Sequence, residues 1–124
     1  RTAARAQELA RTLGQPLVPV AWDERDAALA GAGLLVNTTS LGMTNGPPLD
    51  LALDGLPMMA VVNDIVYAPL ETPLLAAARA RGNHAVDGLG MLLHQATAGF
   101  EAWFGHRPEV DGALRDHVVA DLGG

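Results

Sequence analysis

Residues 34–43 read Leu-Leu-Val-Asn-Thr-Thr-Ser-Leu-Gly-Met, an apolar run that ends in a polar stretch and a glycine. The same pattern returns at 60–64, which reads Ala-Val-Val-Asn-Asp, and at 85–88, which reads Ala-Val-Asp-Gly. Short apolar runs bounded by polar residues or glycine are typical of buried parallel strands, because helices cover both faces of such a sheet. The sequence therefore predicts three parallel strands.

Helical patterns surround these runs. Apolar residues at helical spacing predict helices over residues 3–13, 23–30, 73–81, 89–104 and 109–122. Thr2 is the expected N-cap of the first helix and Gly14 its stop. Residues 44–57 are rich in proline and show no period, which predicts a surface connection. Alternating strands and helices of these lengths indicate an α/β fold.

The composition excludes several classes of protein. The chain has 124 residues, of which 49% are hydrophobic, so it forms one domain at most. A net charge of −6 disfavours nucleic acid as a partner, since binding to phosphates needs clustered positive charge. With no cysteine and no metal-ligand spacing among the four histidines, we expect no metal site. No apolar run spans a bilayer, so we expect no membrane partner and a cytoplasmic location.

Polar side chains and glycines follow all three predicted strands. In an open parallel sheet, ligands bind beyond the carboxyl ends of the strands. Polar residues also simply terminate strands, and for any single segment that interpretation is favoured. Three such segments at one edge of a sheet favour a ligand site there.

Arg1 and Arg5 lie one helical turn apart at the start of the first predicted helix, around Thr2. Two guanidinium groups beside the free N–H groups of a helix start suit a dianionic phosphate. A solvated helix face is the alternative interpretation of the same spacing.

Four motifs in order along the chain resemble those of the shikimate dehydrogenase family. They are Arg-Thr-x-x-Arg at 1–5, Asn-Thr-Thr-Ser-Leu-Gly-Met at 37–43, Asp-Ile-Val-Tyr-x-Pro at 64–69 with Thr-Pro-Leu-Leu at 72–75, and Asp-Gly-Leu-Gly-Met-Leu-Leu-x-Gln-Ala at 87–96. The first motif is weak, and the last is highly specific when it follows the others at these separations. By this resemblance the chain is the C-terminal, NADP-binding half of such an enzyme, with a Rossmann-like fold.

The resemblance implies a ligand role for nine residues. It assigns the adenosine 2′-phosphate of NADP to Arg1, Thr2 and Arg5, the rest of the cofactor to Thr38, Ser40, Ile65 and Gly88, and the shikimate pocket to Tyr67 and Gln95. Without the motifs around them, Tyr67 would be a boundary aromatic residue with a hydrated hydroxyl, and Gln95 a satisfied polar group inside a helix bundle.

The sequence departs from the family pattern in what it lacks. The Gly-rich phosphate loop and the first strand of the nucleotide-binding fold are missing, and so is the N-terminal substrate domain with the Lys and Asp that the family uses for proton transfer. We therefore expect no catalytic residue in this chain and a gap in the sheet where the first, central strand belongs. Residues 1–105 are expected to be part of the NADP-binding domain, and 106–124 a C-terminal helix that packs toward the missing substrate domain.

The expected activity is the NADP-dependent reduction of 3-dehydroshikimate to shikimate, carried out by a longer protein that contains this chain. Two alternatives stay open, a quinate/shikimate dehydrogenase and a non-catalytic nucleotide-binding module. A homodimer is left open as well.

Overall fold

The computed structural model describes residues 2–14 and 16–122, and its centre is a three-stranded parallel sheet. The strands are β1 (Leu34–Asn37), β2 (Val61–Asp64) and β3 (His84–Val86), in the order β1-β2-β3. Leu34 pairs with Val61, and Val61 pairs with His84. The three predicted strands are confirmed, and their carboxyl ends meet at one edge of the sheet.

Four helices accompany the sheet: α1 (Ala3–Leu13), α2 (Pro73–Arg81), α3 (Leu89–Phe104) and α4 (Gly112–Leu122). The expected bounds of the first three are confirmed. Gly14 ends α1 at a φ of 78°, and its N–H donates to the carbonyl oxygen of Ala10. Thr2 occupies the N-cap position of α1, but its side chain makes no capping hydrogen bond.

Two predicted helices differ from the structure. Residues 23–30 form two short 3-10 turns, Trp22–Glu24 and Ala27–Leu29, because so short a segment gains too few hydrogen bonds to nucleate an α-helix. The last helix begins at Gly112, since the Asp111 carboxylate accepts a hydrogen bond from the Leu114 N–H at 2.8 Å and so caps it.

The core lies between one face of the sheet and α2. Its buried residues include Val62 of β2 and Leu75 of α2, both fully buried. The interpretation of residues 44–57 as a surface connection was wrong in one respect, because Leu53 and Leu56 from this segment are buried in the same core. The segment lacks a period because it is not regular structure, but it still supplies apolar side chains.

The sheet itself has no internal gap. The three strands pair without a break, and β1 lies at an edge with 58% of Leu34 exposed. Within the described ranges, no helix is long and apolar enough to cross a membrane.

Candidate functional site

A groove of about 360 Å³ lies at the carboxyl edge of the sheet. Its lining comes from the loop after β1, the loop after β2 and the first turn of α3: Thr38, Thr39, Ser40, Met43, Ile65, Val66, Tyr67, Ala68 and Met91. The expected position of a ligand site, beyond the carboxyl ends of the strands, is therefore where this cavity forms.

The groove brings together four of the predicted site residues. Thr38 and Ser40 stand on one wall, and Ile65 and Tyr67 stand on the other. Gln95 does not line the groove, but it is exposed on α3 four residues after Met91, which places both on one helix face.

Among the predicted phosphate-binding residues, Thr2 is the N-cap of α1 and Arg5 lies within α1, and neither lines the groove. Thr2 and Arg5 are exposed, and no residue of α1 is buried. Arg1 lies outside the described residues. The structure thus leaves the Arg5 guanidinium accessible to an anion and brings no groove residue to it.

Gly88 has a packing role that its sequence motif did not reveal. A methyl group in place of one of its hydrogens would overlap the carbonyl oxygen of Ile65 and would lie 2.7 Å from that of Val66. Only glycine allows the first turn of α3 to approach the loop after β2 so closely. Gly88 therefore supports the Ile65 wall from behind.

Backbone hydrogen bonds join the two walls. The Ile65 N–H donates to the Asn37 carbonyl oxygen at 3.1 Å, which continues the β-ladder past the end of β2. At the far end of the loops, the Thr44 N–H donates to the Ala68 carbonyl oxygen at 2.9 Å. Main-chain contacts therefore hold the two loops that line the groove together at two points along their length.

The two aspartates at the strand ends act as structural acceptors. Asp64 is fully buried and accepts hydrogen bonds from three groups around it. Asp87 accepts from the Leu89 N–H at 3.1 Å, and its second oxygen pairs with Arg115 of α4 at 2.6 Å. These contacts agree with capping and loop support rather than with acid–base chemistry.

Tyr67 is the only titratable side chain in the groove lining. The other lining side chains are of two kinds. The hydroxyl groups can donate or accept hydrogen bonds, and the methionine and aliphatic side chains can pack against apolar rings. Among the residues that the structure describes, no cluster of three or more His, Cys, Asp or Glu could hold a metal ion. The groove can therefore bind and orient a ligand but offers little proton-transfer chemistry.

Sequence reasoning missed several lining residues. Met43 and Met91 line the groove and lie in the motifs at 37–43 and 87–96, in which only other residues were predicted to bind a ligand. Their membership of these motifs could have indicated them. Trp22 lines two further cavities beside the groove, of about 330 and 550 Å³, and shares the second with Thr39, Ser40 and Leu41. The Arg25 guanidinium lies 5.1 Å from the centre of the Trp22 ring. No pattern in the sequence pointed to Trp22.

Comparison with known proteins identifies relatives over the whole chain. A family model described as Shikimate 5'-dehydrogenase C-terminal domain matches residues 88–115. The shikimate dehydrogenase (NADP(+)) of Methylobacterium radiotolerans is 64% identical over 124 residues, which are 100% of this chain and 44% of that protein. The shikimate dehydrogenase (NADP(+)) of Rhodopseudomonas palustris is 61% identical over 122 residues, 98% of this chain and 44% of that protein.

Solved structures give the same result. Quinate dehydrogenase from Corynebacterium glutamicum in complex with NAD superposes with a TM-score of 0.75 at 35% identity, over 86% of this chain and 40% of that one. Shikimate 5-dehydrogenase from Thermus thermophilus in complex with NADP(H) and shikimate superposes with a TM-score of 0.72 at 34% identity, over 88% and 40%. The parallel sheet flanked by helices is therefore Rossmann-like, as expected.

The chain spans less than half the length of the relatives that it matches. The match covers 98–100% of this chain at 61–64% identity. The fold of the chain superposes on a shikimate 5-dehydrogenase of known structure. Over nearly its whole length, the chain is therefore similar to the C-terminal part of shikimate dehydrogenases.

Proposed function

We propose that the protein containing this chain is an NADP-dependent shikimate dehydrogenase, which reduces 3-dehydroshikimate to shikimate in aromatic amino acid biosynthesis. The observation that carries the proposal is the groove in which Thr38, Ser40, Ile65 and Tyr67 meet. Relatives with 61–64% identity are named for this activity and for NADP, which supports it.

The groove suits the nicotinamide end of such a cofactor. When bound, the nicotinamide supplies the hydride. The Thr38 and Ser40 hydroxyls can hydrogen-bond to the polar groups of the cofactor, while Ile65 and Met91 offer apolar surface to a planar ring. Tyr67 and Gln95 would contact the substrate, one from the groove wall and one from the exposed face of α3. This chain has no lysine, so the groups that transfer the proton are assigned to the N-terminal substrate domain.

The direct test is to assay the full-length protein with shikimate and NADP. Shikimate-dependent formation of NADPH is the expected result. A folded full-length protein that binds NADP without turnover of shikimate or quinate would contradict the proposed activity and would favour a nucleotide-binding module.

The preference for NADP over NAD is assigned to Arg1, Thr2 and Arg5. Replacing Arg1 and Arg5 together by alanine in the full-length protein should raise KM for NADP and leave KM for NAD nearly unchanged, because only NADP carries the 2′-phosphate. Arg11→Ala is the matched control, since Arg11 is exposed on the same helix and pairs with Glu8. Equal increases in KM for both cofactors would refute the assignment.

A second candidate is a dehydrogenase that also accepts quinate. The similarity to the quinate dehydrogenase of C. glutamicum, with a TM-score of 0.75, favours it. Comparing kcat/KM for quinate and shikimate, each with NAD and NADP, separates the two candidates. Higher kcat/KM for quinate with NAD would replace the first proposal by the second.

The proposal also includes the domain organisation, the location and the oligomeric state of the full-length protein. Residues 1–105 would belong to the NADP-binding domain and 106–124 would pack toward the substrate domain, in a cytoplasmic protein. Partial support comes from α4, whose Leu114 and Val118 are only half-buried and leave apolar surface for another contact. A homodimer is included as the assembly to test, by sedimentation of the full-length protein.

A further inference from the structure

Two buried polar side chains, Asn37 and Asp64, touch each other directly behind the groove. They are the last residues of β1 and β2, and the Asn37 Nδ2 donates to the Asp64 Oδ1 at 3.0 Å. Asn37 is 5% exposed and Asp64 is completely buried. Neither side chain lines the groove, and Asn37 lines the neighbouring cavity of about 330 Å³ instead.

The Asn37 side chain organises the hydroxyl-bearing wall. Its Oδ1 accepts hydrogen bonds from both the N–H and the hydroxyl of Thr39, at 3.0 and 2.8 Å. Its Nδ2 also donates to the carbonyl oxygen of Leu41 at 3.0 Å. The loop at 38–41 is therefore folded around one buried amide group.

The Asp64 side chain organises the opposite wall. Its Oδ1 accepts from the Val66 N–H at 3.0 Å, next to Ile65 and Tyr67. Its Oδ2 accepts from the Thr72 hydroxyl at 2.7 Å, and Thr72 in turn caps α2 by accepting from the Leu75 N–H. Within the described residues this carboxylate has no arginine or histidine partner, so hydrogen bonds alone compensate for its burial.

We propose that Asn37 and Asp64 form a positioning pair that sets the shape of the groove. The inference rests on the proposed function, because it concerns the cofactor and substrate bound there. Strand pairing and main-chain contacts already hold β1 beside β2, so these side-chain bonds are not needed to keep the sheet together. They end on loop residues, where they fix Thr38 and Ser40 relative to Ile65 and Tyr67.

The test compares Asn37→Ala with Asn83→Ala in the full-length protein. Asn83 is buried to the same degree, at 4% exposed, and donates three hydrogen bonds at the opposite edge of the sheet. Both variants should lower the unfolding temperature. Only Asn37→Ala should raise KM for NADP and for shikimate, by roughly tenfold, with kcat reduced less than KM is raised. Equal changes in KM for the two variants, or no change in either, would overturn the proposal.

A pair of Asp64 variants provides a conservative rescue. Asp64→Asn keeps one oxygen for Asn37 and Val66 and can turn its amide N–H₂ toward the Thr72 hydroxyl, which can accept, so KM should stay within about twofold of the parent value. Asp64→Leu keeps a branched side chain of four heavy atoms and loses all three hydrogen bonds, so KM should rise as in Asn37→Ala. Equal KM values for Asp64→Asn and Asp64→Leu would contradict the proposed role.

A readout without turnover separates this inference from the proposed function. In Asn37→Ala the amide hydrogens of Thr39 and Leu41 lose their direct or indirect support and should exchange with deuterium faster, while Asn83→Ala leaves them protected. If Asn37→Ala does not fold, Asn37→Ser gives the same comparison with a smaller void. Unchanged exchange at 38–41 would overturn the positioning role even in an active enzyme, whereas faster exchange in a protein that lacks activity on shikimate would leave only the proposed function refuted.

Discussion

Asn37 and Asn83 are two buried asparagines that hold loops through their side chains, at opposite edges of the same sheet. At the amino edge, Asn83 donates to the carbonyl oxygens of Pro57, Met58 and Ala60, which lead into β2. At the carboxyl edge, Asn37 uses both its amide oxygen and its amide nitrogen, and its bonds reach a loop and a second buried polar residue.

The two loops differ in what they present. The residues that lead up to the segment held at the amino edge include Leu53 and Leu56, which are buried in the core. The loop held at the carboxyl edge leaves Thr38 and Ser40 exposed beside the groove. A buried asparagine therefore stabilises the core at the amino edge and shapes a candidate ligand site at the carboxyl edge. We expect mutations at the amino edge to affect stability alone, and mutations at the carboxyl edge to affect ligand binding as well.

The largest expected effect on stability is at the amino edge. Leu56 is 2% exposed, so Leu56→Ala should lower the free energy of unfolding by about 3 kcal/mol, from lost burial and a residual cavity. KM for NADP should not change in the folded fraction, since this residue does not reach the groove. Urea unfolding and steady-state kinetics of the full-length protein measure both quantities.

The neighbouring Met59 provides the control for that variant. Met59 is 91% exposed, so Met59→Ala should leave the urea midpoint within experimental error. An increase in KM for NADP in Leu56→Ala would break the separation of the two edges and would show that core packing alone sets the shape of the groove.

At the carboxyl edge, Gly88→Ala should affect stability and function together. The added methyl group would push the Ile65 and Val66 carbonyls away from α3, at a cost of about 2 kcal/mol. Because Ile65 lines the groove, KM for NADP should rise as well. Differential scanning fluorimetry and initial-rate kinetics test this combination.

Gly90→Ala is the matched control on the same helix. Apart from its chain neighbours and the backbone of its own helix, no atom of the described residues lies within 4 Å of the position that its Cβ would take. Because alanine is favoured over glycine in a helix, the unfolding temperature should stay the same or rise. If Gly90→Ala and Gly88→Ala destabilised the protein equally, the close approach at Gly88 would not explain its loss of stability.

The sequence predicted regular structure well wherever the pattern was local. Strands β1 to β3 and helices α1 to α3 follow from apolar periodicity, caps and glycine stops, all of which are read within a few residues. The two errors in helices have different causes. Residues 23–30 are too short to nucleate an α-helix, and the Asp111 carboxylate moves the start of α4 to Gly112.

The candidate site was only partly predictable, for a physical reason. Thr38, Ser40, Ile65 and Tyr67 follow strand ends, so an α/β pattern places them at one edge. The bond from Asn37 to Asp64 joins residues 27 positions apart, and the close approach of Gly88 to Ile65 depends on how α3 packs on a loop. Such contacts exist only after the chain has folded, and local patterns carry no signal for them.

The smallest expected effect concerns the connection from the carboxyl edge to α4. Arg115 pairs with Asp87 at 2.6 Å while the other oxygen of Asp87 caps α3. Because the pair is partly exposed, Arg115→Ala should lower the free energy of unfolding by about 1 kcal/mol or less. The cap at Leu89 stays in place, so the groove should keep its shape and KM for NADP should not change.

Arg107→Ala sharpens this last comparison. Arg107 pairs with Glu101 at 3.3 Å on a more exposed surface, so its loss should cost less than that of Arg115. High salt should reduce the effect of Arg107→Ala more than that of Arg115→Ala, because screening weakens the more exposed pair most. A change in KM for NADP in Arg115→Ala but not in Arg107→Ala would contradict this expectation. It would show that α4 also helps to set the shape of the groove, through the contact of Arg115 with Asp87.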